Sequence, residues 1–184
     1  MALTHAILVA LIDCPSSGYD LAKRFDGSVG FFWDASHQQI YRELAKLEDA
    51  GCITAQKIEQ DTRPNKKLYS LTAKGEALLM DWLNASHSPI NPVKDDLLVK
   101  LFGGHLVDVS ILLAELRQHR KQHQLRLTEY QTIEDRSFAD TEALSRKATY
   151  QYLTLRNGIQ FEQGWLRWCD EAIATLQAIP SENA

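Results

Sequence analysis

Cysteine is scarce in this 184-residue chain: Cys14, Cys52 and Cys169, odd in number and far apart. Without C-x-x-C spacing or an even set, they exclude a disulfide framework and a cysteine-based zinc site, and they suit a reducing cytosol. Long hydrophobic runs are missing too. None approaches the ~18–20 residues of a membrane helix, so no membrane partner is expected and the protein is placed in the cytoplasm. The opening Met1–Pro15 stretch is apolar at its centre but lacks a basic leading segment and a small-residue cleavage site, so it reads as a first helix, not a signal peptide. There is no glycine-rich phosphate loop, no H-E-x-x-H and no G-x-S-x-G, and the histidines form no nucleophile–base pattern. Catalysis has no residues to be argued from. The chain is read as a non-enzyme with no cofactor.

An excess of positive charge is also absent. The formal net charge is −4, and residues 1–84 carry 9 Lys/Arg against 11 Asp/Glu. That balance excludes a strong general nucleic-acid binder. It does not exclude a specific one, because residues 62–68 hold three positive charges and no negative one, and a local basic tip can engage phosphates while the body stays acidic.

What is present is a chain that is 45% hydrophobic, enough to bury a core. Leu3, Ile7, Leu8, Leu11 and Ile12 form a helical stripe; Pro15 to Ser17 interrupt it, and Ser17 can cap a second short helix from Gly18 to about Asp26. Ser36 and Gln39 have the spacing of a capping box, in which each side chain satisfies a free backbone N–H. The helix they open sets Ile40, Leu44 and Leu47 on one face and His37, Gln38, Tyr41, Arg42 and Lys46 on the other, and Gly51 closes it. Residues 53–60 and 67–71 read as strands around a polar loop, and Thr72 starts a further helix. Helix, glycine turn, strand, basic loop, strand: that order is a winged helix-turn-helix.

Residues 87–92, with Pro89 and Pro92, read as a linker between a DNA-binding domain (1–86) and a helical domain (93–180). In the second part apolar or long side chains recur in a heptad-like series at Leu106, Val109, Leu113 and Leu116, continuing to Tyr130. A last helix over about 142–178 carries Leu155, Ile159, Leu166 and Ile173. Two such helices cannot cover these faces alone, which predicts a homodimer along them. The fold class is mainly α with a small β-wing.

The segments S-H-Q-Q-I-Y-R-E-L-A-K-L-E-D-A-G-C-I and N-K-K-L-Y-S-L-T-A-K-G, with the earlier S-G-Y-D-L, resemble the PadR family of transcriptional regulators over residues 2–84. The helical tail resembles the virulence-activator-like branch of that family. The resemblance implies a dimeric winged-helix binder of double-stranded DNA, generally a repressor, with dimerising C-terminal helices and, in some members, a small aromatic or drug-like effector. Tyr41 and Arg42 fall where the family has its recognition-helix Tyr and a variable position, Leu44, Leu47 and Glu48 match its L-x-x-L-E, and Lys67 and Tyr69 match the K-x-Y of the wing. Gln38-Gln39 departs from the smaller residues of many members.

The DNA-binding candidates are therefore Ser36, His37, Gln38, Gln39, Tyr41, Arg42 and Lys46 on the helix and Arg63, Lys66 and Lys67 in the wing. Each has a plainer reading. The two glutamines either pair with adenine edges or form a solvated helix start, Tyr41 either faces DNA or packs in the core, and the wing cations either meet phosphates or form an ordinary hairpin tip. Phe31, Phe32, Trp33, Trp165 and Trp168 are candidates for an aromatic ligand pocket; the plainer reading is a loop anchor for the first three and interface or core packing for the tryptophans. His119 and His123 lie four apart on one helix face, but without a third strong ligand no metal is expected. A competing reading of the whole chain is a winged-helix protein-interaction module without DNA binding.

Overall fold

The computed structural model describes residues 2–27, 35–59, 66–86 and 94–179. Phe31, Phe32, Trp33 and Arg63 lie outside them, as do residues 87–92. The chain folds as two compact units, Met1–Ile90 and Asn91–Ala184.

The first unit runs α1 (Ala2–Ile12), β1 (Ser16–Ser17), α2 (Gly18–Gly27), α3 (His37–Asp49), β2 (Ile53–Ile58), β3 (Lys66–Leu71) and α4 (Ala73–Asn84). The three strands form an antiparallel sheet in the order β1-β3-β2. The wing hairpin pairs Ile53 with Leu71 at its base and Ile58 with Lys66 at its end. The two-residue β1, Ser16 opposite Tyr69 and Ser17 opposite Leu68, was not foreseen. A strand this short carries no alternation to detect. Ser17 also caps α2 as expected, accepting from Asp20 N at 3.1 Å.

One core joins these pieces. Ile7, Leu8 and Leu11 of α1, Leu21, Ala22 and Phe25 of α2, and Ile40, Leu44 and Leu47 of α3 bury against Cys52, Ile53, Tyr69 and Leu79. Cys52 is thus a small hydrophobe in the core. The α3–β2 junction is tight. Gly51 sits at φ 68°, the left-handed conformation that favours glycine at a helix end. Thr72 Oγ1 donates to the Gly51 carbonyl at 2.8 Å and accepts from Gly75 N at 3.2 Å, fastening the start of α4 to that turn.

The second unit contains α5 (Asp96–Phe102), a 3-10 turn (Gly104–Leu106), α6 (Val109–Ser137) and α7 (Arg146–Gln177). The two long helices form the expected hairpin. Leu97 packs with Leu116 and Cys169 in a core flanked by Trp165, Trp168 and Ile173. Farther along, the Tyr130 ring lies against Gly158, where a Cβ would stand 2.9 Å from Cε2. Helix α7 starts at Arg146, later than the expected 142, because the Asp140 carboxylate accepts from Glu142 N and Ala143 N, and Ser145 then caps the helix.

The series read as one dimerisation seam divides in the structure. Leu116, Leu155, Ile159 and Leu166 are buried inside the chain's own unit, and Leu113 and Ile173 are half-buried, whereas Leu106 and Val109 stay exposed. Leu106 is not on α6 at all. Asp108 caps that helix by accepting from Ser110 N at 2.7 Å, and the heptad count ran through the cap into the preceding turn. Spacing identifies an apolar stripe but not which surface covers it.

Candidate nucleic-acid interface

Helix α3 is amphipathic for a local reason: Ile40, Leu44 and Leu47 recur every three or four residues and are buried, so the intervening residues face outward. His37, Gln38, Tyr41, Arg42, Ala45, Lys46 and Asp49 are all exposed. The helix start is fixed by both halves of the capping box. Ser36 N donates to Gln39 Oε1 at 2.8 Å, and Gln39 N donates to Ser36 Oγ at 3.3 Å. The backbone at the helix start is thereby held in place, at the end of the helix that carries a partial positive charge.

The cap separates the two glutamines. Gln39 Oε1 accepts from Ser36 N, which turns the amide back toward the cap and makes a two-point contact with an adenine edge cost that bond. Gln38 keeps both its acceptor and its donor. Tyr41 is no core residue: its ring packs over Gly18 at the start of α2 while nearly half of the residue remains exposed. Arg42 forms no hydrogen bond or ion pair with the described residues. Lys46 is paired one turn back with Glu43 at 3.0 Å.

The wing lysines do not stand free. Lys66 Nζ is 2.9 Å from Asp20 Oδ2, and Lys67 Nζ is 3.2 Å from Glu48 Oε2. Hydrogen bonds from Ser17 and then from Lys66 hold the Asp20 carboxyl below its ordinary range, and Glu48 raises the Lys67 ammonium. Composition missed these pairs because it counts charges, not partners. The only hint in the sequence was the acidic balance of residues 1–84.

The second unit carries the other candidates. Trp165 and Trp168 meet edge to face at 5.1 Å, and Trp165 stacks flat on His123 at 4.7 Å, so both rings are engaged within the hairpin. His123 Nδ1 contacts Glu162 Oε2 at 2.5 Å, and the Glu162 side chain is only 2% exposed. His119 lies 6.5 Å from the His123 ring, and no cluster of three metal-ligating groups occurs among the described residues. No helix among them is long and apolar enough to cross a membrane.

Comparison with known proteins agrees with this architecture over the full chain. Residues 7–81 match the transcriptional regulator PadR-like family, and residues 93–177 match the virulence activator alpha C-terminal family. The chain is 42% identical over 186 residues to the probable transcriptional regulator Rv1176c of Mycobacterium tuberculosis, covering 96% of this chain and 98% of that protein. It superposes on Bacillus subtilis PadR in complex with operator DNA with a TM-score of 0.81 at 30% identity, covering 96% of this chain and 99% of that one. The same protein in complex with p-coumaric acid gives 0.72 at 28%, with 96% of each chain covered. The Vibrio cholerae virulence activator AphA gives 0.79 at 31%, covering 97% of this chain and 99% of that one.

Proposed function

The chain belongs to the PadR-like family of transcriptional regulators, and we propose that it acts as a homodimeric repressor on a palindromic operator, released or engaged by a small aromatic effector. The observation that carries this reading is helix α3, capped at both halves of its box and exposing Gln38, Tyr41 and Arg42 over a fully buried apolar face. Two such helices in a symmetric dimer would enter successive major grooves about 34 Å apart, with the wings along the flanking phosphates. The operator complex of Bacillus subtilis PadR supports the docking mode, and its p-coumaric acid complex supports the effector class.

Within this reading residues 1–86 bind DNA, 87–92 connect, and 93–180 dimerise. The dimer contact draws on apolar residues left exposed, among them Phe102, Leu106, Val107, Val109 and Ile111, since the inner stripe is already covered. The protein works in the cytoplasm and catalyses no reaction.

The test is selection of random duplex DNA by the purified dimer, with and without a metabolite extract, followed by salt titration on the winning sequence. A palindromic consensus whose affinity falls steeply as salt rises is expected. A folded dimer that enriches no sequence under either condition defeats the proposal and favours a protein-binding winged helix.

A further inference from the structure

Lys66 and Lys67 are consecutive on β3, so their side chains leave opposite faces of the strand. Each meets a carboxylate from a different helix of the helix-turn-helix. Asp20, in the first turn of α2, holds Lys66 at 2.9 Å; Glu48, in the last turn of α3, holds Lys67 with both oxygens, at 3.2 and 3.4 Å. Asp20 is itself fixed in place: Ser17 Oγ donates to the same Oδ2 at 2.7 Å, and Ser17 is pinned to the sheet opposite Leu68. The two lysines are therefore clamped from both sides by the elements that would carry α3 to DNA.

This arrangement rests on the DNA-binding reading and deepens it. A phosphate oxygen offers an ammonium group what a carboxylate offers, so a phosphate reaches Lys66 or Lys67 only by displacing Asp20 or Glu48. Exposed ion pairs are weak enough to exchange. A loose, sliding complex has little besides phosphate attraction, and two clamped lysines remove part of it. A seated complex holds phosphates in fixed positions and adds base contacts, which offset the exchange. We propose that Asp20 and Glu48 are specificity-determining acids, built-in competitors for the DNA backbone that keep Lys66 and Lys67 out of non-specific contacts and yield them to phosphates when α3 is seated in a matching groove. The acidic balance of residues 1–84 acts in the same direction.

The test measures the affinity of the full-length protein for two duplexes, one of random sequence and one carrying the selected palindrome, across a salt series. The double variant Asp20→Asn, Glu48→Gln keeps side-chain size and an acceptor for Ser17. It is expected to bind the random duplex about 5–20-fold more tightly, on the scale of two exposed pairs, with a steeper salt dependence. The palindrome should gain clearly less, so the ratio between the two falls. Adding Lys66→Gln and Lys67→Gln should erase the gain, whereas a general charge effect would leave it standing. An unchanged random-duplex affinity, an equal gain on both duplexes, or a gain that survives loss of the lysines overturns the inference while the DNA-binding reading stands. If the wild-type protein binds neither duplex, both fall together.

Discussion

The Tyr41 ring occupies the space a side chain on Gly18 would need, with Cε1 2.3 Å from the position of a Cβ there. Gly18 opens α2 and Tyr41 faces outward from α3, so this contact sets where the phenol stands on the proposed DNA face. Gly75 shows a second close approach of different character: its Cβ would lie 2.0 Å from the Cys52 carbonyl oxygen, which is backbone and cannot swing away. Gly75→Ala should cost at least the ~1–3 kcal/mol of an overpacked core and visibly lower the melting temperature. Gly18→Ala should be mild in stability, because a half-exposed ring can turn into solvent. It should weaken operator binding as much as Tyr41→Ala does, and the double variant should be no worse than either. Additive losses in operator titrations would show that the ring's position does not matter.

The two glutamines at the start of α3 should separate in the same assays. Gln39 accepts from Ser36 N, so Gln39→Ala removes half of the cap and costs on the order of 1 kcal/mol of stability with base preference unchanged. Gln38→Ala should do the reverse, leaving thermal stability alone and relaxing the selected sequence at one base position by ~1–3 kcal/mol. A Gln39→Ala variant whose consensus changes while its melting point holds would reverse these assignments.

The fold was legible wherever a local signal was strong. Ser36 with Gln39, Gly51 and Thr72 each marked a helix boundary that the structure places within a residue or two, because caps and left-handed glycines act on their immediate neighbours. Asp108 and Asp140 carried the same chemistry, yet apolar spacing outweighed them, and the heptad series ran past one while α7 was begun too early. The site was half legible. Periodicity separated the faces of α3, but no pattern along the chain could reveal that Lys66 meets Asp20 or that Lys67 meets Glu48, pairs 46 and 19 residues apart. Nor could it show that Leu116, Leu155, Ile159 and Leu166 are covered by the chain itself.

Between α6 and α7 a buried carboxyl group meets an imidazole. Glu162 is 1% exposed, and His123, itself stacked on Trp165, is its hydrogen-bond partner. Removing one member takes from the other a hydrogen-bond partner in a largely buried place, whereas replacing both with apolar groups does not. His123→Leu alone should therefore destabilise the protein by about 1–3 kcal/mol, and adding Glu162→Leu should restore most of the loss. The comparison is made by urea unfolding followed through tryptophan fluorescence, to which Trp165 and Trp168 report directly. A double variant as unstable as the single one would mean that the helices need the pair for its shape and not for its hydrogen bond.

Glu43 ties α3 to α1, and its carboxyl is held below its ordinary value of 4.5, first by the hydrogen bond from Thr4 Oγ1 and then by Lys46. A carboxylate whose folded pKa is depressed takes up protons more readily in the unfolded chain. Its stabilising contribution is therefore complete above the ordinary value and disappears as the pH falls through the lower, folded one. The Thr4 hydroxyl is the largest cause of that depression, so Thr4→Val should destabilise the protein at pH 7 by about 1.5–3 kcal/mol, the range for a hydrogen bond to a charged group. Below pH 4.5 the gap in melting temperature between wild type and variant should narrow as Glu43 becomes neutral in both. A gap that stays constant as the pH falls from 7 to well below 4.5 would assign the loss to packing around Thr4, and the Glu43 charge would then play no part in holding α3 to α1.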